Sequence, residues 1–259
     1  MSKNTHLPNT LNLFVLNPSA EPDLTQLAVN LDVPLVNSVE PGGKLYLSRE
    51  NGNLSLSQCD ERDDFSILVD FSSGETSHRL KQGHGKNQPL AKAIGLNKNS
   101  SPTVVDATAG LGRDSFVLAS LGCKVIMLER SPVVAALLDD GLQRGKTDEH
   151  INCYMQNIQL HNVDAVDFLN RCEQSIDVVY LDPMFPERKK SAKVKKQMQI
   201  LQRLLGHQQD DPNLLDAALA CAIKRVVVKR PKGAEPYCDR LPTHTIESKK
   251  MRYDVYMCG

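Results

Sequence analysis

The chain has 259 residues, with 31 basic and 31 acidic side chains and 41 % hydrophobic residues. This apolar content and balanced charge exclude a disordered chain, and the 15 glycines follow no collagen-like period. At roughly 100–200 residues per domain, the length fits one large domain or one large and one small, with chain enough to bury a core unaided.

The first hundred residues read mostly as short strands. Residues 11–16 form a compact apolar run. Residues 44–49 (KLYLSR) and 53–57 (NLSLS) alternate on either side of Asn51-Gly52. That dipeptide suits a type I′ hairpin turn, where both central residues take positive φ. Residues 65–71 (FSILVDF) are a further strand. Together these predict a small β-rich unit over residues 1–75. Residues 76–102 follow as a basic, glycine-containing loop (SHRLKQGHGK), a short helix over 88–96 and a polar linker.

From Thr103 to the C-terminus strands and helices alternate. Strands are expected at 103–107, 124–128, 158–161, 177–181 and 225–229, and helices at 113–121, 132–144, 165–171, 193–205 and 212–223. Gly122 is a natural helix stop, Ser131-Pro132 and Asp211-Pro212 are natural helix starts, and Asp164 can cap the helix after it. Residues 243–247 and 253–257 predict a closing hairpin. The expected fold class is α/β: a mostly parallel sheet with an antiparallel C-terminal hairpin, plus the small β-rich N-terminal unit. Ligands of such sheets sit at the carboxyl ends of the strands, near the point where strand order reverses.

The zero net charge hides a strong asymmetry. Residues 1–100 carry 9 basic and 11 acidic residues, 101–187 carry 6 and 13, and 188–259 carry 16 and 7. The three segments are therefore −2, −7 and +9, and the last points to a polyanionic partner. The seven cysteines are odd in number and include no C-x-x-C pair, as suits reduced thiols of a cytoplasmic protein. No Cys/His cluster has metal-ligand spacing, no signal core follows Met1, and no apolar run approaches the roughly 20 residues of a membrane span.

Three motifs carry chemistry. Asp106–Asp114 (DATAGLGRD) follows a buried strand and opens a helix, the setting of a glycine-rich nucleotide loop, with Gly110 and Gly112 allowing close backbone approach. Ser115 stands where the dinucleotide fingerprint needs its third glycine, which disfavours a nicotinamide or flavin. Glu129 ends the next strand, about 20 residues on, where a carboxylate accepts from the ribose hydroxyls of an adenosine. Asp164 ends the strand after that and can meet the exocyclic amine of adenine or cap its helix. The third motif is Asp182-Pro183-Met184-Phe185 after the strand DVVYL. The lone pair of an amine on an aromatic base is delocalised into the ring. Methylation therefore needs acceptors for the N–H protons, so that the lone pair turns toward an electrophilic methyl. The Asp182 carboxylate and Pro183 carbonyl can accept, and Phe185 can stack on the base.

These strings, with VVDATAGLGRDSFVLASLGC, MLERSPVVAALLDDGLQRG, VVYLDPMFPERKKSA and RVVVKRP, resemble the ribosomal RNA small subunit methyltransferase J family of class I S-adenosylmethionine-dependent methyltransferases. The resemblance implies methylation of guanosine N2 in 16S rRNA, with S-adenosylmethionine as cofactor. It also places the family's cofactor contacts on Arg113 and Asp114, on Glu129 and Arg130, on Val163 and Asp164, and on Asp182. The family usually carries small hydroxylated residues where this chain has Val163-Asp164. Met184 departs from the general D-P-P-[YFW] pattern, but the family shares it.

Residues 187–196 (ERKKSAKVKK) hold six basic residues in ten, directly after the third motif. Arg188, Lys189, Lys190 and Lys193 are the expected phosphate contacts, with His78 and Arg79 of the earlier loop as a second set. Lys224, Arg225, Lys229, Arg230 and Lys232 extend the basic group. Recognition by shape, phosphates and one extruded base is expected, by a monomer without metal or membrane contact. The rival activities are methylation of adenine N6 in nucleic acid or of a protein glutamine, and a non-catalytic RNA-binding role on the same fold.

Overall fold

The computed structural model describes residues 13–40, 42, 44–59, 65–72, 88–97, 100–183, 192–205 and 211–259, with the backbone only at 192–195 and 198. The chain begins with β1 (Leu13–Leu16), α1 (Pro22–Leu31), β2 (Leu35–Val36), β3 (Lys44–Glu50), β4 (Asn53–Cys59) and β5 (Phe65–Ile67). Next come α2 (Pro89–Ala93), β6 (Thr103–Asp106), α3 (Arg113–Ser120), β7 (Lys124–Leu128), α4 (Pro132–Thr147), α5 (Asn152–Met155) and β8 (Ile158–His161). The remainder is α6 (Ala165–Arg171), β9 (Ile176–Leu181), α7 (Ala192–Leu205), α8 (Pro212–Cys221), β10 (Ala222–Pro231), a 3-10 turn (Tyr237–Asp239), β11 (His244–Glu247) and β12 (Met251–Met257). Two compact units result, one drawn from residues 1–70, 131–141 and 188–207, the other from 71–130, 142–187 and 208–259.

The first unit holds a five-stranded sheet in the order β2-β1-β3-β4-β5. The β3–β4 hairpin turns at Asn51 (φ 51°) and Gly52 (φ 80°), the two positive angles that a type I′ turn requires. The strand expected at 65–71 ends at Ile67, and Val69 and Phe71 are buried outside the sheet. Helix α1 lies outside the expected elements, although its signals are present. Pro22 opens it, and Leu24, Ala28 and Leu31 bury one face at i, i+4 and i+7. It supplies the crossover that the parallel pairing of β1 with β2 demands.

Gly141 in α4 lies tight against this unit's Val69. A Cβ there would stand 2.6 Å from Val69 Cγ1 and 2.9 Å from the Val69 carbonyl oxygen. Glycine to alanine inside a helix ordinarily stabilises, but here a backbone atom must move. Gly141→Ala is expected to cost about 1–3 kcal/mol, seen as a lower midpoint in thermal melting, whereas a raised midpoint would show that Val69 gives way easily.

The second unit holds a seven-stranded sheet in the order β11-β12-β10-β9-β6-β7-β8. Neighbours from β10 to β8 are parallel, and β12 is antiparallel to both β10 and β11, as expected from the sequence. Val104, Val105, Val178, Val179, Leu181 and Val226–Val228 are all but inaccessible. Their unbroken apolar runs reflect a parallel sheet covered on both faces. Asp164 caps α6 by accepting from the Val166 and Asp167 N–H groups, and Asp211 caps α8 by accepting from Asn213 N–H. The chain runs from β6 outward through β7 to β8, then returns to β9 on the other side of β6. The reversal therefore falls between β6 and β9, and their carboxyl ends flank the crevice where ligands of such sheets bind.

Candidate active site

Asp106 ends β6 and is 2 % exposed. Its Oδ1 accepts from Thr108 N–H at 3.2 Å and its Oδ2 from the Ser115 hydroxyl at 2.5 Å. Ser115, which replaces the third fingerprint glycine, thus spends its hydroxyl on this buried carboxyl. Burial pushes the Asp106 carboxyl up to about 7; the Ser115 and Thr108 bonds act against it, and the nearby Asp114 and Asp182 charges add to it. The folded value lies above the unfolded one, so the folded state holds the proton more tightly and stability declines as pH rises from about 4 to 7. Removing the Ser115 hydroxyl raises the carboxyl further. Ser115→Ala is therefore expected to cost about 1–3 kcal/mol in urea unfolding at pH 8 and clearly less at pH 5, where the carboxyl is protonated. An equal loss at both values would show that Asp106 does not ionise in the folded protein.

Gly110 (φ 54°) and Gly112 (φ 72°) both occupy the left-handed region, and Gly112 leads directly into α3. Among the described residues, a Cβ on Gly110 would meet only the Thr108 carbonyl oxygen, at 3.9 Å, so a ligand can lie against this backbone. Gly110 N–H donates to Glu129 Oε2 at 3.1 Å. Glu129, 7 % exposed, follows β7 directly, and its own carbonyl accepts from Val163 N–H and from the Asn162 side chain. Glycine loop and strand end are therefore locked together. A carboxylate offers about four acceptor sites, so Glu129 can receive a ribose diol beside the Gly110 bond.

A charged cluster joins β10 and the end of β9 to α3. Lys229 Nζ donates to Asp114 Oδ2 at 2.6 Å and to Asp182 Oδ2 at 2.7 Å. The Tyr180 hydroxyl donates to the same Asp114 oxygen at 2.7 Å, and Asp182 N–H donates to the Thr108 hydroxyl oxygen at 2.6 Å. Burial opposes the Lys229 charge, but the two carboxylates outweigh it and hold the ammonium well above the usual lysine range. Burial, with Asp114 and Asp182 adding to it, likewise holds the Tyr180 hydroxyl well above its usual value, so it stays a donor.

A family model for SAM-dependent methyltransferases matches residues 31–258. The Shewanella amazonensis protein named ribosomal RNA small subunit methyltransferase J is 49 % identical over 238 residues, 92 % of this chain and 94 % of that one. The Pseudoalteromonas translucida protein of the same name is 54 % identical over 212 residues, 82 % and 84 % of the two chains. This chain belongs to the ribosomal RNA small subunit methyltransferase J family. A crystal structure of a SAM-dependent methyltransferase from Neisseria gonorrhoeae agrees in fold, with a TM-score of 0.74 and 35 % identity over 95 % of each chain. The class I methyltransferase fold and the S-adenosylmethionine cofactor expected from the sequence are those of this family.

Within this methyltransferase, Asp106, Asp114 and Asp182 gather at the strand reversal, and Gly110 joins Glu129 at the next strand end. Arg113 opens α3, Arg130 is exposed after Glu129, and Val163 and Asp164 are half-buried after β8. The Asp164 Oδ1 accepts from both cap N–H groups, so its capping role is real whatever else it meets. Pro183 is the last described residue of the third motif, and Met184, Phe185, Arg188, Lys189, Lys190, His78 and Arg79 lie outside the described residues. Lys193 falls in the first turn of α7, where the backbone alone is described.

Sequence reasoning missed Thr108, Tyr180 and the structural part of Lys229. The sequence groups Lys229 and Arg230 with the basic residues expected to face RNA. Arg230 is instead 3 % exposed and donates to the Glu235 carbonyl, and Lys229 is held by two carboxylates. Lys224 and Lys232 also pair with acidic groups, Asp177 and Glu247. The signal for Lys229 was its place: a charge directly after the buried run of β10, level with the aspartate that directly follows β9.

Proposed function

We propose that this chain transfers a methyl group from S-adenosylmethionine to the exocyclic N2 of a guanosine in 16S ribosomal RNA. The observation that carries the proposal is the placement of Asp182 at the strand reversal, 2.7 Å from Lys229 and bonded through its N–H to Thr108. S-adenosylmethionine supplies an electrophilic methyl on a sulfonium. Glu129 holds the ribose, Gly110 to Asp114 enclose the methionine end, and Asp106, Arg130, Val163 and Asp164 complete the cofactor site. Asp182 and the Pro183 carbonyl accept hydrogen bonds from the amine N–H groups and turn its lone pair toward the methyl, and Phe185 stacks on the extruded base. This direct displacement draws on no metal ion.

The relatives' shared name, which states ribosomal RNA of the small subunit, supports the substrate. So do the lysines at 193, 195 and 196 in the first turn of α7. Like-signed charge at a helix N-terminus costs about 0.3–1 kcal/mol each, so a phosphate partner gives that placement a reason. Arg188, Lys189, Lys190, Lys193, His78 and Arg79 are the proposed RNA contacts, and a cytoplasmic monomer is the proposed form. No described helix is long and apolar enough to cross a membrane.

The test is transfer of labelled methyl to 16S rRNA lacking the modification, as free RNA and as 30S subunits, followed by nucleoside analysis. N2-methylguanosine is expected. Label in N6-methyladenine or in protein would overturn the substrate assignment.

A further inference from the structure

We infer that Lys229 is the positioning residue of this site: its ammonium, seated between Asp114 and Asp182, fixes Asp182 as a hydrogen-bond acceptor for the target amine rather than a base that takes its proton. The inference rests on the reading of Asp182 given above. It begins with register. Val228 of β10 pairs with Leu181, the last residue of β9, so Lys229, still within β10 and paired with Tyr253 of β12, stands level with Asp182 just past the end of β9. The lysine side chain is 15 % exposed, and its nitrogen lies within 2.7 Å of both carboxylates. Ordering a lysine stem costs up to about 2 kcal/mol of rotamer freedom, and burying its charge costs more, so these contacts are what keep it inward.

Every charged element around it makes the cation necessary. Asp114 comes from α3, Asp182 follows β9 and Asp106 ends β6, while Tyr180 of β9 donates to Asp114 and Tyr253 of β12 lies near Tyr180. The buried Asp106 carboxyl is already pushed up to about 7, so without the ammonium Asp114 and Asp182 would face each other with no cation between them in a half-buried space, and one of the two would take up a proton more readily. A protonated Asp182 would offer a donor where the amine needs an acceptor. The amine nitrogen gains the methyl carbon as the carbon–sulfur bond breaks with its electron pair left on sulfur, and the nitrogen then releases its proton to water.

The first measurement needs no RNA. Carbon-13 NMR of the aspartate carboxyls follows the Asp182 titration in the full chain, with the resonance assigned by its loss in Asp182→Asn. In Lys229→Met the midpoint is expected about 1–3 pH units above wild type, and Lys229→Arg should keep it near wild type. Combining Lys229→Met with Asp114→Asn removes the surplus carboxylate, restores folding if the single variant loses it, and should bring the midpoint back down. In methyl transfer, Lys229→Met should lower kcat about 10- to 100-fold at pH 7 with KM for the cofactor little changed, and the acid limb of kcat should move up with the midpoint.

An unmoved Asp182 midpoint in Lys229→Met, or a kcat loss uniform across pH, would overturn the role of Lys229. If instead the midpoint moves but Asp182→Ala remains fully active, the pairing stands and the reading of Asp182 as amine acceptor fails.

Discussion

Asp182→Ala is expected to lower kcat for methyl transfer by about two to three orders of magnitude. The carboxylate sits where β9 ends, its backbone N–H tied to Thr108 and its Oδ2 to Lys229, so its position is set before substrate arrives. Acceptors held in place cost no reorganisation during the reaction, which is why one such group carries a large share of the rate. Losing it returns the amine lone pair to the ring. Lys229 keeps its Asp114 partner in the variant, so the fold should survive with a modest change in melting temperature. Asp182→Asn should fall between the two, because its carboxamide oxygen still accepts while its NH2 repels the ammonium if it turns inward. Single-turnover transfer to unmodified 16S rRNA measures the effect. A rate equal to wild type would remove Asp182 from the chemistry.

Glu129→Ala is expected to weaken S-adenosylmethionine binding about 100-fold. Hydrogen bonds to a charged acceptor contribute about 1.5–3 kcal/mol each, and each 1.4 kcal/mol is tenfold in affinity. Two losses combine here. The ribose diol loses its acceptor, and Gly110 N–H loses the oxygen that holds the glycine loop against β7. Glu129→Gln should lose less, since its amide oxygen can still take the Gly110 bond. Calorimetric titration with the cofactor measures both, and RNA affinity measured in parallel should stay near wild type. A cofactor Kd within threefold of wild type for Glu129→Ala would place the ribose elsewhere.

Much of the fold was legible along the chain. Strands β6 to β9 and helices α3, α6 and α7 fall within a residue or two of the expected bounds, and Asp164 and Asp211 cap as expected. Their signals are local: a buried apolar run, a capping carboxylate, a proline in the first turn. Helix α1 was missed for a contextual reason, since a ten-residue amphipathic stretch among short strands competes poorly when only neighbouring patterns are weighed. The strand expected over 65–71 was too long because Val69 and Phe71 are buried by packing, and apolar composition does not distinguish that from sheet pairing.

Charge was the least legible property. The +9 of residues 188–259 suggested one basic surface, yet Lys224, Lys229, Lys232, Arg240 and Arg252 each pair with a carboxylate. Their partners include Asp114 and Asp177, whose segment carries most of the acidic excess. Part of the asymmetry therefore cancels inside the second unit.

By itself the sequence determined the order of strands and helices, the glycine loop, the acidic strand end at Glu129 and the Asp182-Pro183 turn, because each depends on residues adjacent in the chain. Only the tertiary structure decided what those residues touch. Lys229 and Asp182 are 47 residues apart, and Lys229 and Asp114 are 115 apart. They meet because β10 pairs with β9 in a register that sets Lys229 level with Asp182, while α3 starts at the same edge. A lysine that reads as one more positive charge thereby becomes the counter-ion of the site, since pairing register, not sequence spacing, sets which charges share a buried volume.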